Sequence, residues 1–332
     1  MTAFSLLRSL DSVPPTLRGG VVAIGNFDGC HRGHQHVFRA ARALSDRTGR
    51  PLIMLTFEPH PRDVFAPEPF MFRLTDGEQK ARLAAAFGFS AIAIMPFSRT
   101  LAAVEAEEFV KTYFVEALEA SAVVVGADFH FGRARAGTPA FLRDAGNRHG
   151  FEVHQLDLIG EAGETISSSL IREALEAGDV TSANTLFGYH WIIEGTVIMG
   201  DQRGRTLGFP TANFSLPANS RLAEGVYAVR VKLGNRRFDG VAGYGKPMFD
   251  NTQPPFEAHI LDFDEDIYGA HIEVALVCHL RENHQFNGVG DLIAQMNRDK
   301  QRAREIVTAA RPISDLDRHL GFISRGQGPE GA

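Results

Sequence analysis

The sequence of 332 residues predicts an α/β domain with a mostly parallel sheet, followed by an antiparallel β-barrel domain that ends in a helix. Up to about residue 187, short apolar runs alternate with longer helical stretches, as repeated β-α-β units require. Beyond it, strand-like runs are separated by glycine, proline, asparagine and aspartate, which is typical of antiparallel hairpins. The length fits two domains, each with its own core.

Each half supplies its own predicted elements. In the first, continuous apolar runs predict strands buried on both faces at residues 21–24, 52–57, 91–95, 122–125 and 151–156. Helical stretches separate them at residues 33–48, 76–87, 106–120 and 138–149. In the second half, strands are predicted at residues 192–199, 225–233, 237–242, 257–263 and 272–280, before a helix at about 290–309. We therefore expect a first domain at 1–186, a second at 187–325 and a disordered tail at 326–332.

The composition excludes several classes of protein. Lys and Arg total 34 against 40 Asp and Glu, a net charge of −6 with no basic run, so we expect no nucleic-acid partner. No apolar stretch approaches the roughly 20 residues of a membrane helix, and the first residues lack a signal-peptide pattern. Only Cys30 and Cys278 are present, which is typical of a reducing compartment. We expect a cytoplasmic protein with small-molecule substrates and no membrane contact; its oligomeric state stays open.

The segment GNFDGCHRGH, residues 25–34, follows a predicted strand and opens a predicted helix. Its glycines allow a ligand to approach the backbone, and the N–H groups at a helix start bind phosphates. His31 and His34 can both donate to one polyphosphate, which suits nucleotidyl transfer. Two other interpretations stay open, namely histidines without a function and a zinc site formed by Cys30, His31, His34 and His36.

A second segment, ISSSLIR at residues 166–172, lies where the last connection of this half should begin a helix. Serine hydroxyls and backbone amides at a helix start are phosphate ligands. Arg172, one turn further, could clamp the same phosphate with bidentate hydrogen bonds. A serine run alone more often caps a helix. Its pairing with the histidine segment favours a binding role.

The second half contains GRTLGFPTAN at residues 204–213, which is rich in glycine but has no P-loop lysine. Backbone amides can still hold phosphates there. The hydroxyl of Thr211 and the side-chain carbonyl of Asn213 offer hard oxygen ligands to Mg²⁺, although such turns are more often plain loops. Residues 240–246, GVAGYGK, match the letters of a P-loop, but Pro247 replaces the hydroxyl residue and the predicted context is antiparallel, so we reject that interpretation.

The alternation of polar and apolar residues is clearest in the run from Glu257 to Leu261. Glu257 and His259 therefore share one face of a predicted strand, which we expect to look into the barrel. A carboxylate aimed at a sugar hydroxyl can accept its proton during phosphoryl transfer. The alternative is a solvated glutamate on the outer face.

These segments, in this order, resemble the family of bifunctional bacterial riboflavin kinase/FAD synthetases. The first half is similar to an FMN adenylyltransferase of the HxGH nucleotidyltransferase superfamily, with matches at residues 25–34, 56–61, 125–129 and 166–172. The second half is similar to a riboflavin kinase, with matches at 204–213 and 256–269. The resemblance implies phosphorylation of riboflavin to FMN, then adenylylation of FMN to FAD with release of pyrophosphate. Both steps would use ATP and Mg²⁺.

The resemblance also implies a role for each matching residue. The catalytic residues would be His31, His34 and Glu257. ATP would be bound by Gly25, Asn26, Phe27, Asp28, Gly33, Ser168, Arg172, Gly204, Arg205 and Gly208. The flavin would be bordered by Phe57, Asp128 and Phe129, and Mg²⁺ would be held by Thr211 and Asn213.

The chain departs from the family pattern at a few positions. His130 stands where the family more often has arginine, and Gly243 and Met248 replace an asparagine and a threonine. These changes motivate a rival interpretation, a flavin-binding regulatory protein that has lost one or both activities. Another HxGH enzyme, acting on RNA, is a third interpretation that the acidic composition disfavours.

Overall fold

The computed structural model describes residues 4–157, 159–161, 164–200, 203–245 and 255–323. The chain divides into two compact units, Met1–Ser168 and Ser169–Ala332. Each unit contains its own sheet.

The first unit is built from strands, helices and short turns of helix. Its strands are β1 (Ser5–Leu7), β2 (Val21–Ile24), β3 (Leu52–Glu58), β4 (Ala91–Pro96), β5 (Ala122–Gly126), β6 (Glu152–Leu156), β7 (Gly160–Glu161) and β8 (Glu164–Thr165). Its helices are α1 (Arg32–Thr48), α2 (Pro61–Phe65), α3 (Gly77–Ala86), α4 (Arg99–Ala102), α5 (Ala106–Phe109) and α6 (Pro139–His149). A π-helical segment, Val110–Ala117, continues α5, and single 3₁₀ turns lie at Pro15–Leu17 and Arg133–Arg135.

The main sheet of this unit is parallel, with the strand order β1-β4-β3-β2-β5-β6. Strand β2 is apolar and buried along its whole length, because helices and loops cover both faces of the sheet centre. The chain runs from β2 to β3 and β4 on one side, then crosses to β5 and β6 on the other. Ligands of such sheets bind where the strand order reverses, at the carboxyl ends of β2 and β5. The predicted parallel α/β sheet is confirmed.

One predicted strand behaves differently from the others. Residues 151–156 were expected to be buried on both faces, but β6 is an edge strand that pairs with β5 on one side. Its residues are exposed or half-buried, because Glu152 and Gln155 face solvent. The prediction of a fully buried strand was wrong here.

The second unit contains an antiparallel sheet and several helices. Its strands are β9 (Ile192–Thr196), β10 (Ala212–Ser215), β11 (Gly225–Leu233), β12 (Arg236–Tyr244), β13 (Pro255–Ile260) and β14 (His271–Arg281). Its helices are α7 (Ser168–Glu176, which begins on the last residue of the first unit), α8 (Val180–Phe187), α9 (Arg203–Thr206), α10 (Val289–Ala309) and α11 (Asp315–Leu320).

The strand order of this sheet is β10-β13-β12-β11-β14-β9. A further antiparallel bridge between Ile198 and Asn213 links the chain after β9 to β10, so the sheet is nearly closed. Helix α10 packs on β11, β12 and β14 through Ala303 and Val307. The predicted barrel and its C-terminal helix are confirmed. Residues 240–244 lie inside β12, while Lys246 and Pro247 lie outside the described residues.

Helix α8 packs on the barrel. The Asn184 side chain donates to the Leu276 carbonyl at 2.9 Å and accepts from the Trp191 backbone N–H at 2.8 Å. Residues 169–186 therefore group with the second unit, although their sequence pattern continues that of the first half. The predicted boundary at 186/187 stays a prediction. The predicted tail at 326–332 lies outside the described residues.

Candidate active sites

The first candidate site begins where β2 ends and the chain enters α1. His31 is the N-cap of α1, and its Nδ1 accepts from the backbone N–H of His34 at 3.4 Å. A neutral His31 ring therefore carries its proton on Nε2. The rings of His31 and His34 stack with centroids 3.6 Å apart and an angle of 21° between their planes. The structure thus brings together the two histidines singled out in the sequence.

Glycines at two positions permit this arrangement. A Cβ on Gly33 would lie 3.0 Å from the His31 ring and 3.1 Å from the Ile166 carbonyl oxygen. A Cβ on Gly25 would lie 2.8 Å from the ring of Phe27, whose own backbone is left-handed with φ 47°. Both predicted glycine positions are therefore places where a side chain would displace its neighbours.

The electrostatics of His34 favour a neutral ring in the ligand-free protein. Burial, then the neighbouring His31 and Lys80, hold the pKa of His34 well below its ordinary value. Its Nδ1 is buried and has no hydrogen-bond partner among the residues that the structure describes. A polyphosphate beside the ring would favour its protonated form. The stacked pair is therefore suited to donate hydrogen bonds once an anion is bound.

The loop between β2 and α1 is held by hydrogen bonds from other segments. The Asp28 carboxylate is 3% exposed and accepts from the N–H groups of Leu74 and Thr75, both at 3.0 Å. In return, the Thr75 hydroxyl accepts from the Gly29 N–H at 2.8 Å. The Asp28 side chain therefore anchors the loop, and ATP binding by this residue stays a prediction.

Ser168 and Asn26 also meet this loop. The Ser168 hydroxyl donates to the Asp28 carbonyl at 2.9 Å, which ties the last residue of the first unit to the loop between β2 and α1. Asn26 is exposed, and its carbonyl accepts from the Thr56 hydroxyl at 3.0 Å. Arg172 is buried on α7 within the second unit, and its contact with a phosphate stays a prediction.

A charged cluster next to this site was missed in the sequence. Lys80, on α3, is 1% exposed, and its ammonium donates to Glu58 at 2.9 Å. Arg73 forms a second ion pair with the same carboxylate. The charge of Lys80 helps to lower the pKa of His34, so this cation acts at the histidine pair and suits an anionic ligand there. The available signal was a lysine among the apolar positions that α3 buries, beside Ala81 and Ala84.

The predicted flavin-binding residues lie on strands or loops that flank β2. Phe57 is the second-last residue of β3 and contacts Phe97 with ring centroids 5.8 Å apart, while Phe129 follows β5 and stacks on Phe131 at 5.6 Å. Both phenylalanines pack in the apolar cluster of the first unit. Asp128 is exposed, and its carbonyl lies 2.8 Å from Nδ1 of His130. These residues lie at or just beyond the carboxyl ends of β3 and β5, and the histidine pair follows the carboxyl end of the neighbouring strand β2. Their contact with the flavin stays a prediction.

Cys30 is buried, and its thiol donates to the Phe27 carbonyl. Burial raises the pKa of this thiol to about 12, so it is not a thiolate at neutral pH. Within the described residues, no group of three or more His, Cys, Asp or Glu side chains could hold a metal ion. The zinc interpretation of this segment therefore gains no support.

The second candidate site is built on the turn that precedes β10. A Cβ on Gly204 would lie 2.3 Å from the Phe209 carbonyl oxygen, and Gly208 is left-handed with φ 84°. The Phe209 N–H donates to the Gly204 carbonyl at 2.8 Å. This tight turn leaves Arg205 exposed. Both glycines are thus required by the backbone.

Three oxygen-bearing side chains meet beyond this turn. Asn213 and Glu257 are paired across β10 and β13. The Asn213 amide donates to the Thr211 hydroxyl at 3.2 Å, and that hydroxyl donates to the Glu257 carboxylate at 3.4 Å. The structure therefore brings together the predicted metal ligands and the predicted base.

The orientation predicted for Glu257 was wrong. Phe256, Ala258 and Ile260 are buried, whereas Glu257 is exposed and His259 is half-buried. Glu257 and His259 do share a face, but it is the outer one, because bulky apolar side chains fill the barrel. The carboxylate reaches the site through the contact with Thr211 at the edge of β10.

A cleft of about 250 Å³ lies beside these residues in the second unit. Thr211 and Asn213 form part of its wall, together with Arg205 and the segment from Phe263 to Tyr268. Thr211 also contacts Glu257, so its hydroxyl stands between the cleft and the carboxylate. The geometry suits a phosphate chain in the cleft with its reacting end at Thr211.

The two folds, with their candidate sites, are those expected of a protein with two nucleotide-dependent transfer activities. Comparisons with known proteins specify these activities. The FAD synthetase family matches residues 13–170, and the riboflavin kinase family matches residues 187–307. The bifunctional riboflavin kinase/FMN adenylyltransferase of Escherichia coli K12 is 36% identical over 308 residues, which cover 92% of this chain and 98% of that protein. The Bacillus subtilis enzyme of the same name is 36% identical over 302 residues, covering 85% and 91%.

A solved structure from Streptococcus pneumoniae, titled a macrolide-efflux protein, has a TM-score of 0.80 and 30% identity, covering 91% of this chain and 98% of that one. In the described residues, no helix has the length and apolarity needed to cross a membrane. The chain belongs to the family of bifunctional riboflavin kinase/FMN adenylyltransferases. The predictions of a transferase with both activities, and of the family itself, are confirmed.

Proposed function

We propose that the site at the start of α1 carries out FMN adenylylation and that the site around Thr211 carries out riboflavin phosphorylation. The observation that carries the first assignment is the stacked histidine pair at a helix N-terminus, with the Ser168 hydroxyl tied to the same loop. The second assignment rests on the contact of Thr211 with both Asn213 and Glu257 beside the cleft. Each reaction then has its own residues.

In adenylyl transfer, a phosphate oxygen of FMN attacks the α-phosphorus of ATP, and pyrophosphate leaves. The protonated Nε2 of His31, with His34, donates to the phosphates as negative charge builds up on them. Backbone N–H groups and the dipole at the start of α1 hold the triphosphate, supported by Asn26, Ser168 and Arg172. Phe57, Asp128 and Phe129 border the flavin. No covalent enzyme intermediate is needed.

In phosphoryl transfer, Glu257 accepts the proton of the riboflavin hydroxyl as that oxygen attacks the γ-phosphorus of ATP. ADP leaves with its phosphates on the turn that contains Gly204, Arg205 and Gly208. The nucleotide occupies the cleft, and riboflavin approaches from the side of Glu257, since Thr211 separates the two.

Mg²⁺ fits the residues present at the kinase site. Thr211 supplies a hydroxyl, Asn213 an amide carbonyl and Glu257 a neighbouring carboxylate, the hard oxygen donors that this ion prefers. We assign its binding to Thr211 and Asn213. When bound, the ion neutralises charge on the phosphates of ATP.

The remaining proposals concern organisation and location. We propose that the adenylyltransferase domain spans 1–186 and the kinase domain 187–325, since the match to the riboflavin kinase family begins at residue 187. Helix α8, at the end of the first domain in sequence, packs on the barrel. We place the enzyme in the cytoplasm, because Cys30 and Cys278 are both free thiols. Its partners are small molecules, and no nucleic acid takes part.

A pair of variants tests the metal assignment. Thr211→Val removes the hydroxyl at nearly constant shape, whereas Thr211→Ser keeps it. With riboflavin, ATP and Mg²⁺, we expect Thr211→Val to form FMN about 10²-fold more slowly, with a higher Mg²⁺ requirement, and Thr211→Ser to stay near wild type. FAD formation from supplied FMN serves as the control and should not change. Wild-type FMN formation by Thr211→Val would overturn the assignment, and riboflavin that is bound but unchanged by the wild-type protein would favour a regulatory role.

A further inference from the structure

His259 lies on β13, two residues beyond Glu257 and on the same outer face. Its Nδ1 is 2.8 Å from the carbonyl oxygen of Pro210. A carbonyl can only accept, so Nδ1 carries the proton and donates. The ring edge of His259 also contacts Phe209, with centroids 5.4 Å apart and planes at 64°. The side chain therefore holds the last two residues before Thr211.

The bond to Pro210 has a geometric consequence for Thr211. The Pro210 carbonyl and the Thr211 amide nitrogen belong to one rigid peptide plane. Fixing the carbonyl oxygen therefore fixes the direction in which the chain enters Thr211. Proline has no N–H, so the carbonyl is the backbone hydrogen-bonding group by which this residue can be held.

Thr211 is held from its other side as well. Asn213 donates to both its hydroxyl and its carbonyl at 3.2 Å, and its hydroxyl reaches Glu257. With His259 on the preceding peptide, the position of the hydroxyl is determined from both directions. Phosphoryl transfer depends on positions held to a fraction of an ångström, and a 1 Å displacement can cost about 10²-fold in rate.

We infer that His259 is a positioning residue of the kinase site, whose Nδ1–H holds the Pro210 carbonyl and so sets Thr211 between the cleft and Glu257. This inference rests on the proposed roles of Thr211 and Glu257. What it adds to those roles is one hydrogen bond, from Nδ1 of His259 to the carbonyl oxygen of Pro210.

The surroundings of His259 agree with a neutral, singly protonated ring. Burial is the main cause that lowers its pKa; the charge of Lys300, on α10, acts in the same direction, and the Pro210 bond and Asp262 oppose it. Its Nε2 is buried and lacks a hydrogen-bond partner in the part of the chain that the structure describes. Nδ1 is thus the nitrogen through which the ring acts on the site.

Three variants of the full chain separate positioning from packing. An asparagine amide can place its nitrogen near Nδ1, a glutamine amide places it near Nε2, and leucine supplies only apolar volume. We expect His259→Asn to phosphorylate riboflavin within about threefold of the wild-type kcat, and His259→Gln and His259→Leu to lose about 10- to 10²-fold. The KM for riboflavin should stay within about twofold, because the proposed action of the ring is on the Pro210 carbonyl and not on that substrate. FAD formation from supplied FMN should be unchanged in all three.

Binding gives a readout that is independent of turnover. In calorimetric titrations, His259→Gln and His259→Leu should weaken MgADP binding more than they weaken ADP binding in EDTA, because they displace the proposed metal ligand. His259→Asn should not. Equal kcat values for the asparagine and glutamine variants would overturn the inference.

The wild-type protein supplies a measurement that needs no variant. Long-range ¹H–¹⁵N spectra should show His259 as the neutral tautomer protonated at Nδ1, and protonation at Nε2 alone would overturn the inference. If Thr211→Val keeps the wild-type rate while the asparagine and glutamine variants differ, the proposed metal ligand is wrong and the Pro210 bond stands. Failure of the metal assignment and failure of the positioning inference therefore give different results.

Discussion

The two candidate sites differ in how far the folded chain has shaped them in advance. The histidine pair adjoins a buried loop: His31 and Asp28 are 4% and 3% exposed, and the buried Asp28 carboxylate holds the loop by accepting from the main-chain N–H groups of Leu74 and Thr75. Around Thr211, in contrast, Glu257 and Arg205 are exposed, and the contacts that join the reactive groups are side-chain bonds of 3.2 to 3.4 Å. A buried, pre-formed anion site suits charge stabilisation, whereas an exposed carboxylate suits proton transfer to solvent.

This contrast predicts that the largest effect comes from the exposed carboxylate. Glu257→Gln nearly preserves shape but removes the proposed base, so riboflavin phosphorylation should fall about 10²- to 10⁴-fold. Adenylylation of supplied FMN should persist. Chromatography of the flavins measures both rates in one preparation, and a variant with the wild-type kinase rate would place the base elsewhere.

Loss of one histidine should have the next largest effect, in the other reaction. His31→Ala removes a donor to the adenylyl transition state and the N-cap of α1, so FAD formation should fall about 10²- to 10³-fold. The rate of FMN formation from riboflavin should remain within about twofold of the wild-type rate. That result would also show that the second unit is folded. Equal loss of both activities in a folded variant would contradict separate sites.

A smaller effect on FAD formation should follow from the addition of a single methyl group at Gly33. In Gly33→Ala, the new Cβ would meet both the His31 ring at 3.0 Å and the Ile166 carbonyl at 3.1 Å, so one of them must move. We expect FAD formation to fall about tenfold, less than for loss of the ring. Gly290→Ala is the matched control, because a Cβ there meets nothing within 4 Å. An unchanged rate for Gly33→Ala would mean that the stacked geometry is not needed.

The smallest predicted effect is on stability. His34 has a lowered pKa in the folded protein, so between that value and its ordinary 6.5 the unfolded chain binds more protons. The contribution of the neutral His34 ring to the free energy of unfolding should therefore be fully present above pH 6.5 and fall as the pH drops below that value. His259 and His279 shift in the same direction and add to the slope.

The variant His34→Asn isolates one part of this slope. Between pH 7 and pH 5.5, it should lose about 1 kcal/mol less unfolding free energy than the wild type, since one pKa unit corresponds to about 1.4 kcal/mol. Urea unfolding at the two pH values measures the difference. A slope equal to that of the wild type would show that His34 is not neutralised by folding.

The two units also differ in how well their strands could be predicted from the sequence. Strand β2 was predicted with its observed bounds, because a continuous apolar run buried on both faces is a strong local signal. Strand β1 and strand β10 were not predicted, since neither SLL nor ANFS forms a continuous apolar run like that of β2. The outward orientation of Glu257 was also missed, because alternation shows which residues share a face but not which face is inside.

Long-range contacts explain the other differences at the sites. The histidine motif predicted its own geometry, since His31 and His34 lie in one turn of chain. The anchoring role of Asp28 depends on the segment at Leu74 and Thr75, which no local pattern connects to it. The cluster of Lys80, Glu58 and Arg73 was missed for the same reason, because its two ion pairs join residues that no local pattern connects.

Complementation between two full-length variants tests most directly the central claim that each reaction has its own residues. His31→Ala and Glu257→Gln should each make little or no FAD from riboflavin, ATP and Mg²⁺. Mixed in one tube, they should make FAD at a rate limited by the FMN that the first variant releases to the second. Supplying FMN to Glu257→Gln alone should give the same product. If Glu257→Gln cannot adenylate supplied FMN, or if folded His31→Ala cannot make FMN, the two reactions share residues and the account is contradicted.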